Sequence, residues 1–359
     1  MDHELWTASS EGDLLRVRDL LQHPDIGINL AAVDDARQDT PLHVSSRFGR
    51  TQVVQELLND PRIDVNCPNK GGATPLYIAC QEGHLEAAEL LLRVEGIDVN
   101  WGARDGETPL FSACQNGHVA LVGLLLRDER VDVMAAKKTG ATALFMACQI
   151  GNAEIVRMLL GDVRINPNRT RNDGSGPLCI ACWNGHHDVV SAMLAVPSVK
   201  VSHLGGNGAS PLLFATTADR PDIVQLLLTH PELDVNEVRD PTNSTSLWHA
   251  AQNGWREVAW VLLASDQLVN TRVVSTFNQQ TAAQQGRQQP LTPRGHHETD
   301  EDYKKRTTYG PVIADLIEQY EADPVAVRTS LRRLPQIRST TTHQPFIYDV
   351  IDSISQSCW

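Results

Sequence analysis

The sequence has no long apolar run and comparatively little positive charge. No stretch approaches the roughly 18 consecutive apolar residues that a membrane-spanning helix needs, so we expect no membrane insertion. Basic residues number 31 against 44 acidic ones, which gives a formal net charge of −13. A surface this acidic repels phosphate backbones. We therefore expect no nucleic-acid partner.

Motifs of the common catalytic and metal-binding sites are also missing. The sequence contains no GxGxxG, no P-loop, no HExxH and no nucleophile elbow. Cys179 and Cys182 have CxxC spacing, but no second pair or histidine set completes a zinc site. We predict that the protein is not an enzyme, with no catalytic residue, no metal and no cofactor.

Cysteine usage indicates the compartment. The seven cysteines are an odd number, so they cannot all pair with one another within one chain. The first residues, Met1 to Glu4, are acidic and lack the basic-then-apolar order of a secretory signal. These features predict free thiols and a cytoplasmic or nuclear location.

The sequence is organised by a motif that occurs seven times. The motif reads Thr-Pro-Leu or a close variant, and its first residue recurs at steps of 34, 34, 34, 34, 34 and 35 residues. Those first residues are Thr40, Thr74, Thr108, Thr142, Gly176, Ser210 and Thr245. A period of this length indicates a repeat architecture, in which each repeat buries its apolar face against its neighbours.

Two further landmarks keep the same phase. A glycine follows nine residues after the first motif residue in every copy except one, where Asp219 replaces it. Leucine pairs, with one Met-Leu variant, follow eight and nine residues later. Threonine can cap a helix, proline suits the first helical position, and glycine suits the left-handed turn that ends a helix. Each repeat is therefore predicted to contain two short helices.

The segment from Gly72 to His84 resembles the ankyrin repeat family almost letter for letter, and the resemblance covers about residues 5–285. It implies an all-α repeat solenoid, in which ankyrin helix-turn-helix-loop units stack in a curved array. Residues 1–286 are predicted to form that array, with an N-terminal cap at 1–38, seven clear units at about 39–270 and a degenerate ninth unit at 271–286. A linker at 287–307 and a short helical C-terminal extension at 308–359 complete the prediction.

Several residues recur at fixed positions of the repeat and have structural explanations. Cys80, Cys114, Cys148 and Cys182 suggest a metal column or disulfides, but stacked helices lie about 8–10 Å apart and disulfides need Cα atoms within about 7 Å. We therefore predict buried packing for these four thiols. The resemblance implies that histidines after the turn glycine bind the backbone of the adjacent repeat.

The loop asparagines Asn66, Asn100 and Asn236 are predicted to stabilise turns. The resemblance also implies that they can be substrates of an asparagine hydroxylase.

Ankyrin proteins generally bind through the concave face, which consists of loop tips and the exposed side of each first helix. Large apolar residues at water-facing positions of such a face are typical anchors of an interface. Mapping by register predicts protein-binding residues at Arg47, Phe48, Gln81, Glu82, Arg104, Asp105, Gln115, Asn116, Lys138, Gln149, Ile150, Asn172, Asp173, Trp183 and Asn184. Packing of the apolar members on neighbouring loops is the alternative explanation.

The resemblance thus predicts a monomeric, non-catalytic protein–protein interaction scaffold or adaptor. The alternative is an adaptor or substrate-receptor subunit of an enzyme complex, such as a ubiquitin ligase, that docks through the C-terminal tail. The tail shows no evident docking motif of that kind, which weakens this alternative. The sequence alone names no partner.

Overall fold

The computed structural model describes residues 2–31, 35–202, 209–238, 244–267, 269–272, 280–288 and 299–333. These residues form short helices and connecting turns, with no β-strand among them. The chain divides into an N-terminal half, residues 1–173, and a C-terminal half, residues 174–359. Residues 334–359, the last part of the predicted C-terminal extension, lie outside the described residues.

Five helix pairs make up the N-terminal half, and each pair is one repeat. The first helices are α1 (Asp2–Glu11), α3 (Pro41–Arg47), α5 (Pro75–Glu82), α7 (Pro109–Gln115) and α9 (Ala143–Ile150). The second helices are α2 (Leu14–Leu21), α4 (Thr51–Leu58), α6 (Leu85–Leu92), α8 (Val119–Leu126) and α10 (Ala153–Leu160). First helices pack against first helices and second helices against second helices along this half, so the repeats stack in sequence order.

The C-terminal half continues the pattern and then departs from it. Its first helices are α11 (Pro177–Asn184), α13 (Pro211–Thr217), α15 (Ser246–Asn253) and α17 (Ala282–Gln288). Its second helices are α12 (His187–Leu194), α14 (Pro221–Leu228) and α16 (Arg256–Ala264), and the chain then forms α18 (Asp300–Ala322) and α19 (Pro324–Arg333). No separate second helix accompanies α17 among the described residues. Instead, α19 packs on α16, the contact that such a helix would make.

The residues that start and end each helix behave as the motif predicts. The hydroxyls of Thr74, Thr108 and Thr142 each accept a hydrogen bond from the backbone N–H three residues later. Gly176 has no side chain to make this bond, so α11 begins without it. The turn glycines have positive φ, and Asp219 adopts φ 53° where it replaces one. The turn geometry is therefore retained even where the preferred residue is lost.

The recurrent cysteines are packing residues. Cys80, Cys114, Cys148, Cys179 and Cys182 are buried and free of disulfides. Burial raises the pKa of Cys80 and of Cys179 to about 12, because the thiolate form would lose its hydration. These thiols are protonated at neutral pH, which removes the form that attacks disulfides or binds metals.

Histidines connect successive repeats. Nε2 of His84 lies 2.8 Å from the Arg47 carbonyl oxygen, and Nε2 of His118 lies 3.0 Å from that of Gln81. Deeper in the fold, the Thr40 N–H donates to Nδ1 of His43, so the opposite ring nitrogen carries the proton and donates to a carbonyl of the next repeat. Burial lowers the His43 pKa, which keeps this ring neutral.

Loop arginines cap the preceding repeat. Arg130 pairs with Asp128 at 2.6 Å and also donates to the Leu92 carbonyl oxygen at 2.7 Å, at the end of α6. Arg164 pairs with Asp162 in the same way and donates to the Leu126 carbonyl, at the end of α8. The hydrogen bonds from each arginine hold the pKa of its aspartate below the usual range. Because the last carbonyls of a helix have no partner within it, these arginines satisfy groups that would otherwise rely on water.

The loop asparagines bind the following repeat. The Asn100 amide accepts from the Asp132 N–H at 2.7 Å and donates to the Arg130 carbonyl at 2.8 Å. Asn66 makes the same two bonds to the next repeat. Met134 occupies this position one repeat later, where its sulfur accepts from the Asn166 N–H at 3.3 Å. The role predicted from sequence was local turn stabilisation, whereas these amides join neighbouring repeats.

Exchanging the two residue types tests this assignment. Asn100→Met should lower the free energy of unfolding by about 1–3 kcal/mol, because it removes two hydrogen bonds of about 0.5–1.5 kcal/mol each. Met134→Asn should instead raise it by about 1 kcal/mol, since a better acceptor and a donor replace the sulfur. Urea unfolding followed by circular dichroism measures both. A loss of stability in Met134→Asn equal to that in Asn100→Met would contradict the bridging role.

The C-terminal extension is packed on the array. Helix α18 contacts α15, α16 and α17, and its Lys305 pairs with Asp219 in an earlier turn at 3.1 Å. The Arg256 guanidinium lies between the rings of Trp260 and Tyr309, about 5 Å from each centroid. Helix α18 begins at Asp300, inside the segment expected to be a linker, because its first turns use the turns of earlier repeats as a docking surface.

Candidate functional site

Backbone hydrogen bonds join the loop tips of the N-terminal half in series. The N–H of Lys70 donates to the Arg37 carbonyl oxygen at 3.0 Å, and the N–H of Arg104 donates to that of Gly71 at 3.1 Å. The same bond recurs from Lys138 to the preceding tip at 2.7 Å. We call this series of bonds the tip ladder. It fixes the spacing of the residues that project from consecutive repeats.

A cavity of about 440 Å³ lies between the tip ladder and helices α3 and α5. Three residues predicted from sequence to bind a partner line it: Arg47, Gln81 and Arg104. The lining also includes the loop-tip residue Lys70, together with Arg37 and Tyr77, which the sequence mapping did not include. We refer to this cavity as the tip groove. Loop tips and first helices therefore share one surface in this half, as the register mapping expects.

One wall of the tip groove is a buried ion-pair network. Asp39, almost fully buried, accepts from the Arg47 guanidinium at 2.8 and 3.1 Å and from the Asn69 amide at 2.7 Å. The same guanidinium pairs with Glu82 at 3.1 Å. Arg47 is thus held by two carboxylates and lies only 13% exposed. Arg47 therefore stabilises the fold in addition to lining the groove. The sequence mapping did not anticipate this stabilising role.

The other wall centres on a tyrosine. The Tyr77 hydroxyl donates to Glu107 at 3.2 Å, and Lys137 pairs with the same carboxylate at 2.8 Å. Burial raises the Tyr77 pKa, so the phenol stays protonated and keeps donating. The ring forms a small apolar floor with Ala73, Ile78 and Ala103.

The predicted residues further along this half have varied environments. Asp105 and Lys138 form an exposed ion pair at 3.2 Å, and the Asn172 amide donates to the Lys138 carbonyl. Asp173 pairs with Arg171 at 3.5 Å. The Asn116 side-chain amide donates to the Ser112 carbonyl oxygen in the helix that it ends, α7. Phe48, Gln115, Gln149 and Ile150 are exposed at helix ends.

Two of the three apolar anchor candidates lie in this half and face solvent. Phe48 is 50% exposed at the end of α3, and Ile150 is 49% exposed at the end of α9. The third, Trp183, belongs to the C-terminal half and is 44% exposed. Its ring meets that of Phe214 edge to face, with centroids 6.1 Å apart. Asn184 beside it is half-buried. Neighbour packing therefore holds Trp183 in place without covering it.

Arg37, Asp39 and Tyr77 escaped the sequence mapping for different reasons. Arg37 belongs to the predicted N-terminal cap, residues 1–38, which lacks the motif that sets the register. Asp39 precedes a motif threonine, where other repeats have alanine, serine or, once, glutamate (Glu107). An acidic residue that occurs at this position only in Asp39 and Glu107 was a usable signal. Tyr77 occupies the fourth motif position, where the first copy of the motif has His43. That position is part of the motif and was not mapped to the binding face, so only the packed structure shows that Tyr77 lines the groove.

Metal-binding groups and membrane-spanning helices were sought across the described ranges. Within them, no group of three or more His, Cys, Asp or Glu side chains is placed to hold a metal ion. None of the described helices is both long enough and apolar enough to cross a membrane.

Comparison with known proteins identifies the repeats. A family model described as ankyrin repeats, three copies, matches five overlapping segments: residues 5–101, 62–137, 94–171, 122–201 and 178–273. A search of the curated proteins finds no match. Ankyrin repeats generally mediate protein–protein interactions and are typically non-catalytic. Because the matched segments together cover residues 5–273 and the stacked helix pairs agree with them, the chain belongs to the ankyrin repeat family.

Proposed function

We propose that this protein is a non-catalytic scaffold or adaptor that binds partner proteins through the concave face of its ankyrin array. The observation that carries the proposal is the location of the exposed Phe48 next to Arg47, a residue lining the tip groove. Exposed aromatic side chains beside polar groups are typical anchors of protein interfaces. The anchor in the C-terminal half is the exposed Trp183, whose ring is supported edge to face by that of the half-buried Phe214.

The remaining predicted residues then provide the polar rim of the interface. Gln115, Asn116 and Gln149 are exposed amides at helix ends, and Asp105 and Lys138 form an exposed pair. Exposed ion pairs of this kind contribute little affinity but favour one charge pattern in the partner. We also propose that the chain acts as a monomer in the cytoplasm or nucleus, in keeping with the six cysteines that form no disulfide among the described residues.

Alanine substitution of the aromatic anchors tests the function. We expect Phe48→Ala together with Trp183→Ala to reduce the amount of bound partner at least tenfold, because truncating a central aromatic anchor costs about 2 kcal/mol or more. Quantitative mass spectrometry of proteins captured by the full chain measures this. Val163→Ala is the matched control, since Val163 is 99% exposed and apolar but lies in a loop after a second helix. Undiminished capture by the double variant would refute the assignment of this face.

A further inference from the structure

Three cations in the tip groove have no carboxylate partner in the part of the chain that the structure describes. Arg37, Lys70 and Arg104 all line the cavity, and none forms an ion pair with any residue that the structure describes. All three are exposed. The Asp35 carboxylate lies near Arg37 in sequence but accepts backbone N–H groups, from Arg37 and from Asp39.

The other charged groups around the groove are already matched. Arg47 is shared by Asp39 and Glu82, and Glu107 is held by Lys137. These five groups carry two positive and three negative charges, a net charge of −1. With the three tip cations the charged groups around the cavity therefore sum to +2, or to +1 when the Asp35 carboxylate is included. A local positive site on a chain of net charge −13 attracts an anion at short range, while the rest of the surface repels large anions.

The tip ladder sets the spacing of this charge. Lys70 and Arg104 occupy equivalent positions in consecutive repeats, so they are separated by about the 8–10 Å of a stacked-helix spacing. The Lys70 N–H bonds to the Arg37 carbonyl just as the Arg104 N–H bonds to the Gly71 carbonyl, so Arg37, Lys70 and Arg104 belong to three consecutive loop tips. The groove therefore presents a row of three cations, one from each tip.

An extended peptide matches that spacing. In the polyproline II conformation, residues three apart return to the same face after about 9 Å. One carboxylate can meet Lys70 while another, three residues along, meets Arg104. The intervening residues then lie over the small apolar floor around Ile78.

We propose that the tip groove binds an extended acidic segment of the partner protein, with two carboxylates three residues apart. This inference rests on the proposed function, since it specifies the partner chemistry of the same face. A protein segment is favoured over nucleic acid because three cations in a cavity of about 440 Å³ cannot offset the repulsion between the acidic chain and a polyphosphate backbone.

The test uses the full chain and three blocked eight-residue peptides in isothermal titration calorimetry. The first has the core Glu-Pro-Leu-Glu, the second has the same composition with adjacent glutamates, and the third has lysine in place of glutamate. We expect the first to bind with a Kd below about 1 mM and at least threefold more tightly than the second. The third should not bind. Binding of the first should weaken as salt rises.

Charge-reversal variants locate the site. Lys70→Glu and Arg104→Glu should each weaken binding of the first peptide at least tenfold. Arg93→Glu makes the same change in net charge on a side chain that is 74% exposed after α6, and it should alter the Kd less than twofold. Circular dichroism of each variant confirms that the fold is retained.

Other outcomes overturn the inference. It fails if the first peptide does not bind, if the lysine peptide binds as well, or if Lys70→Glu binds unchanged. It also fails if the chain binds poly(U) RNA through Lys70 and Arg104 but not the acidic peptide. Partner capture that depends on Phe48 and Trp183 but not on Lys70 or Arg104 would leave the proposed function intact while refuting the acidic segment.

Discussion

Asp39→Ala should lower the free energy of unfolding by about 3 kcal/mol. The Asp39 side chain is only 3% exposed and accepts hydrogen bonds from Arg47 and from the Asn69 amide. Removing one partner of a buried ion pair leaves the other charge uncompensated and typically costs about 3–5 kcal/mol. Arg47 retains Glu82, so the expected loss lies at the lower end of that range. Urea unfolding followed by circular dichroism measures the change.

Glu82→Ala is the matched control because it removes the other carboxylate from the same guanidinium. Glu82 is about one-third exposed, and an ion pair that reaches solvent contributes about 1 kcal/mol or less. The two variants should therefore differ by about 2 kcal/mol. Equal losses would show that burial of Asp39 is not what makes the pair important. Asp39→Ala should also free Arg47 and so change the wall of the tip groove.

Gly254→Ala should detach the C-terminal extension from the array. Gly254 has φ +71°, and a Cβ there would collide with the Lys305 carbonyl oxygen and lie 2.6 Å from the Arg306 Cα. Both atoms are backbone of α18, so no side-chain rotation relieves the contact. We expect a loss of at least about 3 kcal/mol, from strain at positive φ plus overpacking. Hydrogen exchange in α18 should rise, and trypsin should cut more readily after Lys304 to Arg306.

Gly117→Ala separates the two causes. Gly117 is the turn glycine of another repeat, with φ +75°, but its nearest neighbour to a new Cβ is the Asn152 amide nitrogen at the ordinary distance of 3.6 Å. This variant should show only the backbone strain, about 1–2 kcal/mol, with unchanged exchange in α18. If Gly254→Ala lowers the free energy of unfolding no more than Gly117→Ala does, α18 does not approach the Gly254 turn as closely as described.

The repeat family, the all-α solenoid class and most helix limits could be predicted from sequence. Helix α5 illustrates why: Thr74 caps it, Pro75 begins it and Gly83 ends it, and each of these acts within one turn of its own position. Local signals of this kind can be recognised in the sequence without knowing how the neighbouring repeat packs. The family match over residues 5–273 confirms the identification.

The remainder depended on contacts between repeats. Whether the Asn66 amide stabilises its own loop or binds Asp98 in the next one is decided by stacking geometry. The ion pair between Arg47 and the buried Asp39 could not be predicted either, because the repeat register gives only the position of Arg47 on the face. Helix α18 begins earlier in the chain than its apolar pattern indicated. Its first turns are held by contacts with Gly254 and Asp219, which are distant in sequence, so the local pattern could not predict them.

The tip ladder has a consequence for the entropy of association. A loop that becomes ordered only on binding lowers the affinity, because fixing each backbone residue costs about 1–2 kcal/mol of conformational entropy. Here the N–H of each tip is already bonded to the preceding tip, from Lys70 through Arg104 to Lys138. The receptor surface is consequently preorganised, and most of the ordering cost falls on the incoming segment. A partner that is itself rigid in an extended form would gain the most from this arrangement.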